Sequence, residues 1–240
     1  MQLGYGQPEE YFHRHTIQQL GLENNPQKFL SYCEDIFQRS LSQSRVFGLK
    51  IHWYQLQDFL RIARQLPAFT DRSDLEILTL LFPHSRFIYL CRQDITAQAV
   101  SAAIATQTGQ WEKPACNTAQ NRENEASLKF QPWRIYEWDQ ALKSHNQGWQ
   151  DFFQVHHTSP YTVSYEALTT DFSTEISKIL NYLSINEANI SETFARPTQR
   201  QSNKTNQQFI HRYNRLPQPL LASIYWLFRQ LKPATEETAP

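Results

Sequence analysis

The sequence predicts an α/β protein built on a parallel sheet, and three observations carry that prediction. "SRFIYLC" is a run of five consecutive apolar residues, Phe87 to Cys91, that stops at Arg92. It is too continuous for a strand with one wet face and reads as a strand buried on both sides. Further strand-like runs alternate with segments of helical period, which implies parallel strands, crossover helices and cover on both faces of the sheet. The chain has 240 residues, 40% of them hydrophobic and 13% aromatic, enough for a real core. One α/β domain over residues 1–232 is expected, with 233–240 as a flexible tail.

The elements follow in order. "NNPQKFLSYCEDIFQRSLSQS" places Phe29, Leu30, Cys33, Ile36, Phe37 and Leu41 at helical spacing, with Pro26 near the start. "RVFGLKIHW", Arg45 to Trp53, reads as a short strand, and "WYQLQDFLRIARQL" as a helix. Ser73 and Glu76 have capping-box spacing for a helix that ends near Leu81, before Pro83. After the Phe87–Cys91 strand, Asp94 can cap the next helix. Residues 112–132 are polar and aperiodic, a loop long enough to suggest function or mobility. "WRIYEWDQALKSHNQGWQDFFQV" predicts a long helix, "YTVSYEAL" a third strand and "STEISKILNYLSI" an amphipathic helix. "LPQPLLASIYWLFRQL" predicts a C-terminal helix.

Composition excludes several functions. With 23 basic and 23 acidic side chains the formal charge is zero, which gives no reason to expect a nucleic-acid or membrane-surface partner. Cys33, Cys91 and Cys116 are odd in number and far apart, so no zinc spacing or disulfide framework arises, and reduced thiols in a cytoplasmic protein are expected. Cys91 reads as a core residue. The first fifteen residues have no signal-peptide pattern, and no apolar run approaches the roughly 20 residues of a membrane span. His13 and His15, and His156 and His157, lack a third ligand at a recognisable spacing, so no metal is expected. The six tryptophans read as core or as platforms for sugar rings.

Ligands of parallel sheets bind at the carboxyl ends of strands, which directs attention to Arg92. Ser101 follows nine residues later inside the next helix, and Ala97, Ser101, Ile104 and Thr108 share one helical face. An arginine fork and a hydroxyl so placed can hold a phosphate. The alternative is a solvated arginine beside a packing helix, whose Ala99, Val100, Ala102 and Ala103 let it lie close to the sheet. Glu9 and Glu10 in "GQPEEYF" are either a general base or exposed charge. Lys50 interrupts an apolar strand and marks either a sheet edge or a polar site.

"YLCRQDITAQAVSAAIATQTGQW" resembles the sulfotransferases of the bacterial trehalose 2-sulfotransferase type, with an arginine at a strand end, a "QAVS" helix and a "QT-x-x-W" ending. "GQPEEYF", "VFGLKIHW", "NQGWQDFF" and "VSYEALTTDFSTEISKILNYL" resemble that family in character and order. "RQSNKTNQQFIHRY" resembles its late segment, with Phe209 where a tryptophan is usual. The resemblance implies a P-loop-like α/β fold and 3′-phosphoadenosine 5′-phosphosulfate (PAPS) as co-substrate. Arg92 and Ser101 match the residues that hold the 3′-phosphate, and Glu10 matches the base. Arg200 and Gln201 fall in the late, nucleotide-proximal segment. The acceptor implied is a small carbohydrate-type molecule, a sugar or glycolipid, and a homodimer is the family expectation. Sulfuryl transfer is an in-line displacement that needs an oriented hydroxyl, a base and donors for the leaving phosphate.

The sequence departs from that pattern in one place. The family opens with a strand, a Ser/Gly-rich loop and a helix that hold the 5′-phosphosulfate, whereas nine residues precede Glu10 here. The expectation is a sheet without its first strand and an enzyme impaired or inactive as given. A non-catalytic nucleotide- or partner-binding remnant of the fold is the alternative.

Overall fold

The computed structural model describes residues 8–44, 46–111, 128–185 and 204–231, excepting the side chains of 40–44 and 231. Cys116, Arg200, Gln201, the polar stretch 112–127 and the tail 232–240 lie outside the described residues. The fold is helix-rich with a small parallel sheet. It divides into two compact units, Met1–Phe87 with Gly148–Pro160, and Ile88–Gln147 with Tyr161–Pro240.

The first unit contains α1 (Arg14–Gln19), α2 (Pro26–Ser44), α3 (Trp53–Ala63), a 3-10 turn at Pro67–Phe69 and α4 (Asp74–Leu81). Each start has a local cause. The His13 ring accepts from the His15 amide at 3.3 Å, so this His-x-His pair is a helix cap. Asn25 caps α2 through the Lys28 amide at 3.0 Å, with Pro26 in the first turn, where its missing N–H costs nothing. Ser73 and Glu76 form the expected capping box. The core is aromatic: Phe12, fully buried, lies within 6.4 Å of the rings of Phe29, Tyr32, Phe59 and Phe82.

The strand expected over Arg45–Trp53 is corrected to a single parallel bridge, Glu9 with Leu49. The Lys50 amide donates to Glu9 O at 3.1 Å. Pro8 has no N–H to extend the pairing, and α3 begins at Trp53.

The second unit contains β1 (Ile88–Cys91), α5 (Ile95–Thr108), β2 (Tyr161–Ser164), α7 (Tyr165–Thr170), α8 (Phe172–Tyr182), α9 (Lys204–Asn214) and α10 (Gln218–Leu231). Helix α6 (Pro132–Val155) contributes its residues to Gln147 here and the remainder to the first unit. β1 and β2 pair in parallel, with Cys91 opposite Ser164. "YTVSYEAL" therefore divides: four residues are strand, and Ser164 Oγ accepts from the Ala167 amide at 3.1 Å to start α7. β1 is not buried on both faces as expected, since Ile88 is 41% and Leu90 60% exposed. Among the described residues it pairs with one strand only. Cys91 is half-buried rather than core, with its thiol 3.7 Å from Val163 O.

Asp94 caps α5 through the Ala97 amide at 2.8 Å, and Gly109, at φ 68°, ends it in the left-handed conformation that glycine adopts without strain. The small residues were expected to draw this helix to the sheet. Ala99, Val100 and Ala103 instead join a cluster of helical side chains: Ile135 and Trp138 of α6, Phe209 and Tyr213 of α9, and Leu221 of α10.

Candidate functional site

The two families of predicted site residues fall in different units. Glu10 belongs to the first; Arg92 and Ser101 belong to the second.

Glu10 is fixed from both sides along the chain. Glu9 makes the bridge to Leu49, and Phe12 anchors in the aromatic core. The approach depends on Gly48, where an added Cβ would lie 3.1 Å from Pro8 Cβ. Three donors then converge on the Glu10 carboxylate. Lys50 Nζ lies 2.6 Å from Oε1, His52 Nε2 lies 3.4 Å from the same oxygen, and Gln55 Nε2 donates to Oε2 at 2.9 Å. The contact with His52 contributes most, and with Lys50 and Gln55 it outweighs partial burial, holding Glu10 far below the usual carboxylate range. Glu10 is thus an ionised acceptor, with its side chain 27% exposed.

Lys50 resolves to a polar site rather than a bare sheet edge. Gln55 and His52 carry no sequence motif. Gln55 is fully buried on the face of α3 that also buries Leu56, Phe59 and Leu60. Its carbonyl accepts from the His52 amide at 2.8 Å while its amide reaches Glu10, so both ends are satisfied. A polar residue on an otherwise apolar helix face was the one clue available. The Tyr54 ring stacks on His52 at 5.9 Å, and the Arg14 guanidinium lies 5.2 Å over Tyr54.

In the second unit, Arg92 leaves the carboxyl end of β1, where ligands of parallel sheets bind. Its guanidinium lies 4.6 Å over the Tyr165 ring. Among the described residues its buried Nε has no hydrogen-bond partner; Glu166 Oε1, at 3.9 Å, is outside bonding distance. Tyr165 and Glu166 enter from the end of β2 because the strands are paired in register. Ser101 is half-buried two turns into α5, on nearly the opposite side from Ala99, Val100 and Ala103. Ala97 and Ala105, one turn to either side of Ser101 along the same face, are themselves buried.

Among the described residues, no group of three His, Cys, Asp or Glu side chains could hold a metal ion, and no helix is long and apolar enough to cross a membrane.

The Stf0 sulphotransferase family model matches residues 4–216. The chain belongs to this family. None of the curated proteins matches it. Membership covers both clusters and implies a sulfonate donor and a small-molecule acceptor for this Stf0 sulphotransferase.

Proposed function

We propose that this Stf0 protein transfers a sulfuryl group from PAPS to a hydroxyl of a carbohydrate-type acceptor, a sugar or glycolipid with trehalose as the family precedent. The observation that carries the reading is Arg92, a cation at a strand's carboxyl end whose buried Nε has no hydrogen-bond partner among the described residues. An uncompensated donor of this kind fits a phosphate dianion. Arg92 and the Ser101 hydroxyl hold the 3′-phosphate, and Arg200 and Gln201 add contacts to the nucleotide. The bound donor supplies the sulfuryl group and a good leaving phosphate.

Glu10 takes the acceptor's hydroxyl proton. A carboxylate held this far down is a weak base until one of its donors moves. Lys50 and His52, with side chains 55% and 50% exposed, are the partners within reach of an incoming hydroxyl. In this reading the fold is P-loop-like with helices on both sheet faces, forming a single domain over 1–232 in a cytoplasmic homodimer.

Calorimetry with adenosine 3′,5′-bisphosphate tests the nucleotide site. Arg92→Ala is expected to weaken binding roughly ten- to a hundredfold, the loss expected of a charge-assisted pair. No binding by folded protein, or equal binding by both proteins, would sink the assignment. Bisphosphate binding without sulfate transfer to any sugar acceptor would favour a non-catalytic nucleotide-binding role.

A further inference from the structure

We propose that Glu166 is a positioning residue that presents Arg92 to the 3′-phosphate by fixing the turn between β1 and α5. The inference rests on the phosphate-site reading of Arg92 and extends it to a residue that does not itself touch the ligand.

The parallel register brings the two strand ends together, with Cys91 opposite Ser164. The residues just beyond them therefore meet: Arg92, Gln93 and Asp94 on one side, Tyr165 and Glu166 on the other. Glu166 Oε2 accepts from the Gln93 amide at 3.1 Å. Burial alone would raise the Glu166 carboxyl. Backbone hydrogen bonds from Gln93, Glu166 and Asp94, aided by the charge of Arg92, prevail and hold it below its ordinary value. The ionised carboxylate thus clamps the backbone that carries Arg92, while Asp94 fastens the other end of the turn to α5 through the Ala97 amide at 2.8 Å.

The relation to Arg92 itself is different. Glu166 Oε1 stands 3.9 Å from Arg92 Nε, and that Nε makes no hydrogen bond among the described residues. A carboxylate paired fork-to-fork with the arginine would have to be displaced before phosphate could bind. Glu166 avoids this by spending its hydrogen bonds on the main chain. Tyr165 supplies a flat support at 4.6 Å that fixes the guanidinium plane without using its donors. The remaining cost is repulsion between the Glu166 charge and a phosphate dianion, and this gives the role a distinctive signature. The hydrogen-bond acceptor should be required, whereas its charge should not.

The test is calorimetry with adenosine 3′,5′-bisphosphate on the wild type, Glu166→Gln, Glu166→Ala, Glu166→Asp and Arg92→Ala, and on the double variant Arg92→Ala/Glu166→Ala. Glu166→Gln keeps a carbonyl for the Gln93 amide and should bind as tightly as wild type or up to about threefold tighter. Glu166→Ala should weaken binding about tenfold, and should add less than about twofold once Arg92 is gone, as expected of residues acting through one another. Glu166→Asp keeps the charge but withdraws the carboxylate by one methylene; it should weaken binding as Ala does, and it carries the test if Glu166→Ala does not fold. A loss in Glu166→Gln equal to that in Glu166→Ala overturns the inference. So does an unchanged Glu166→Ala or Glu166→Asp, or a Glu166→Ala loss that persists in the Arg92→Ala background. If Arg92→Ala weakens binding while the Glu166 variants do not, this inference fails and the phosphate site stands. No binding by folded wild type, or binding indifferent to Arg92, overturns both.

Discussion

Glu10 draws its chemistry from residues 40 to 45 positions away in sequence, and its contacts set a pH dependence. Its folded carboxyl is held low by His52, Lys50 and Gln55 while its unfolded value is ordinary, near 4.5. The ion-pair network therefore stabilises the fold fully above about pH 4.5, and that stability is lost as pH falls from there towards the folded value. Glu10→Gln should cost about 1 to 2 kcal/mol at pH 7, within the range for a hydrogen-bonded charge. Urea melts at pH 7 and pH 3 check this: the gap between variant and wild type should shrink at the lower pH. In sulfate transfer, the same substitution should lower kcat by at least about a hundredfold, the usual contribution of a general base. Bisphosphate affinity should be unchanged. Residue types and spacing made Glu10, Lys50 and Arg92 legible as candidates. Gln55, His52, Tyr165 and Glu166 were not, because each acquires its partner only when a distant segment is brought beside it.

At the scale of elements, local chemistry was a dependable guide where one turn of chain decides the outcome. The Ser73–Glu76 box, the Asp94 cap and the long helix α6 lie where the sequence puts them. Asp94→Ala should cost about 1 kcal/mol, the usual price of a lost cap. Thermal melting checks it, with a drop of several degrees expected. Gly148 lies within α6, and a Cβ there would come 2.2 Å from Trp53 Cε2. Glycine to alanine inside a helix normally gains up to about 1 kcal/mol, but the clash should reverse the sign and cost about 1 to 3 kcal/mol. A Gly148→Ala protein more stable than wild type in the same melt would contradict this packing. The sequence misjudged "RVFGLKIHW" because apolar composition does not supply a pairing partner. It misjudged the extent of the third strand because Ser164 can satisfy a helix start as readily as continue a ladder.

At the scale of the whole molecule, stability rests on side chains gathered from many elements. Phe12 joins the segment after Glu10 to α2, α3 and the Phe82 turn. Phe12→Ala should destabilise by about 3 to 5 kcal/mol. In a denaturant melt, a loss below about 1 kcal/mol would show that the site segment is not anchored there. The sequence by itself determined two of the three expected strands, most helix starts, the parallel pairing and the family, because these depend on local propensity, capping and periodicity. Tertiary structure alone decided that Lys50, His52 and Gln55 converge on Glu10, that the alanines of α5 meet helices, and that Tyr165 and Glu166 attend Arg92. Those contacts depend on strand register and on close approach between distant segments, which no local window of sequence encodes.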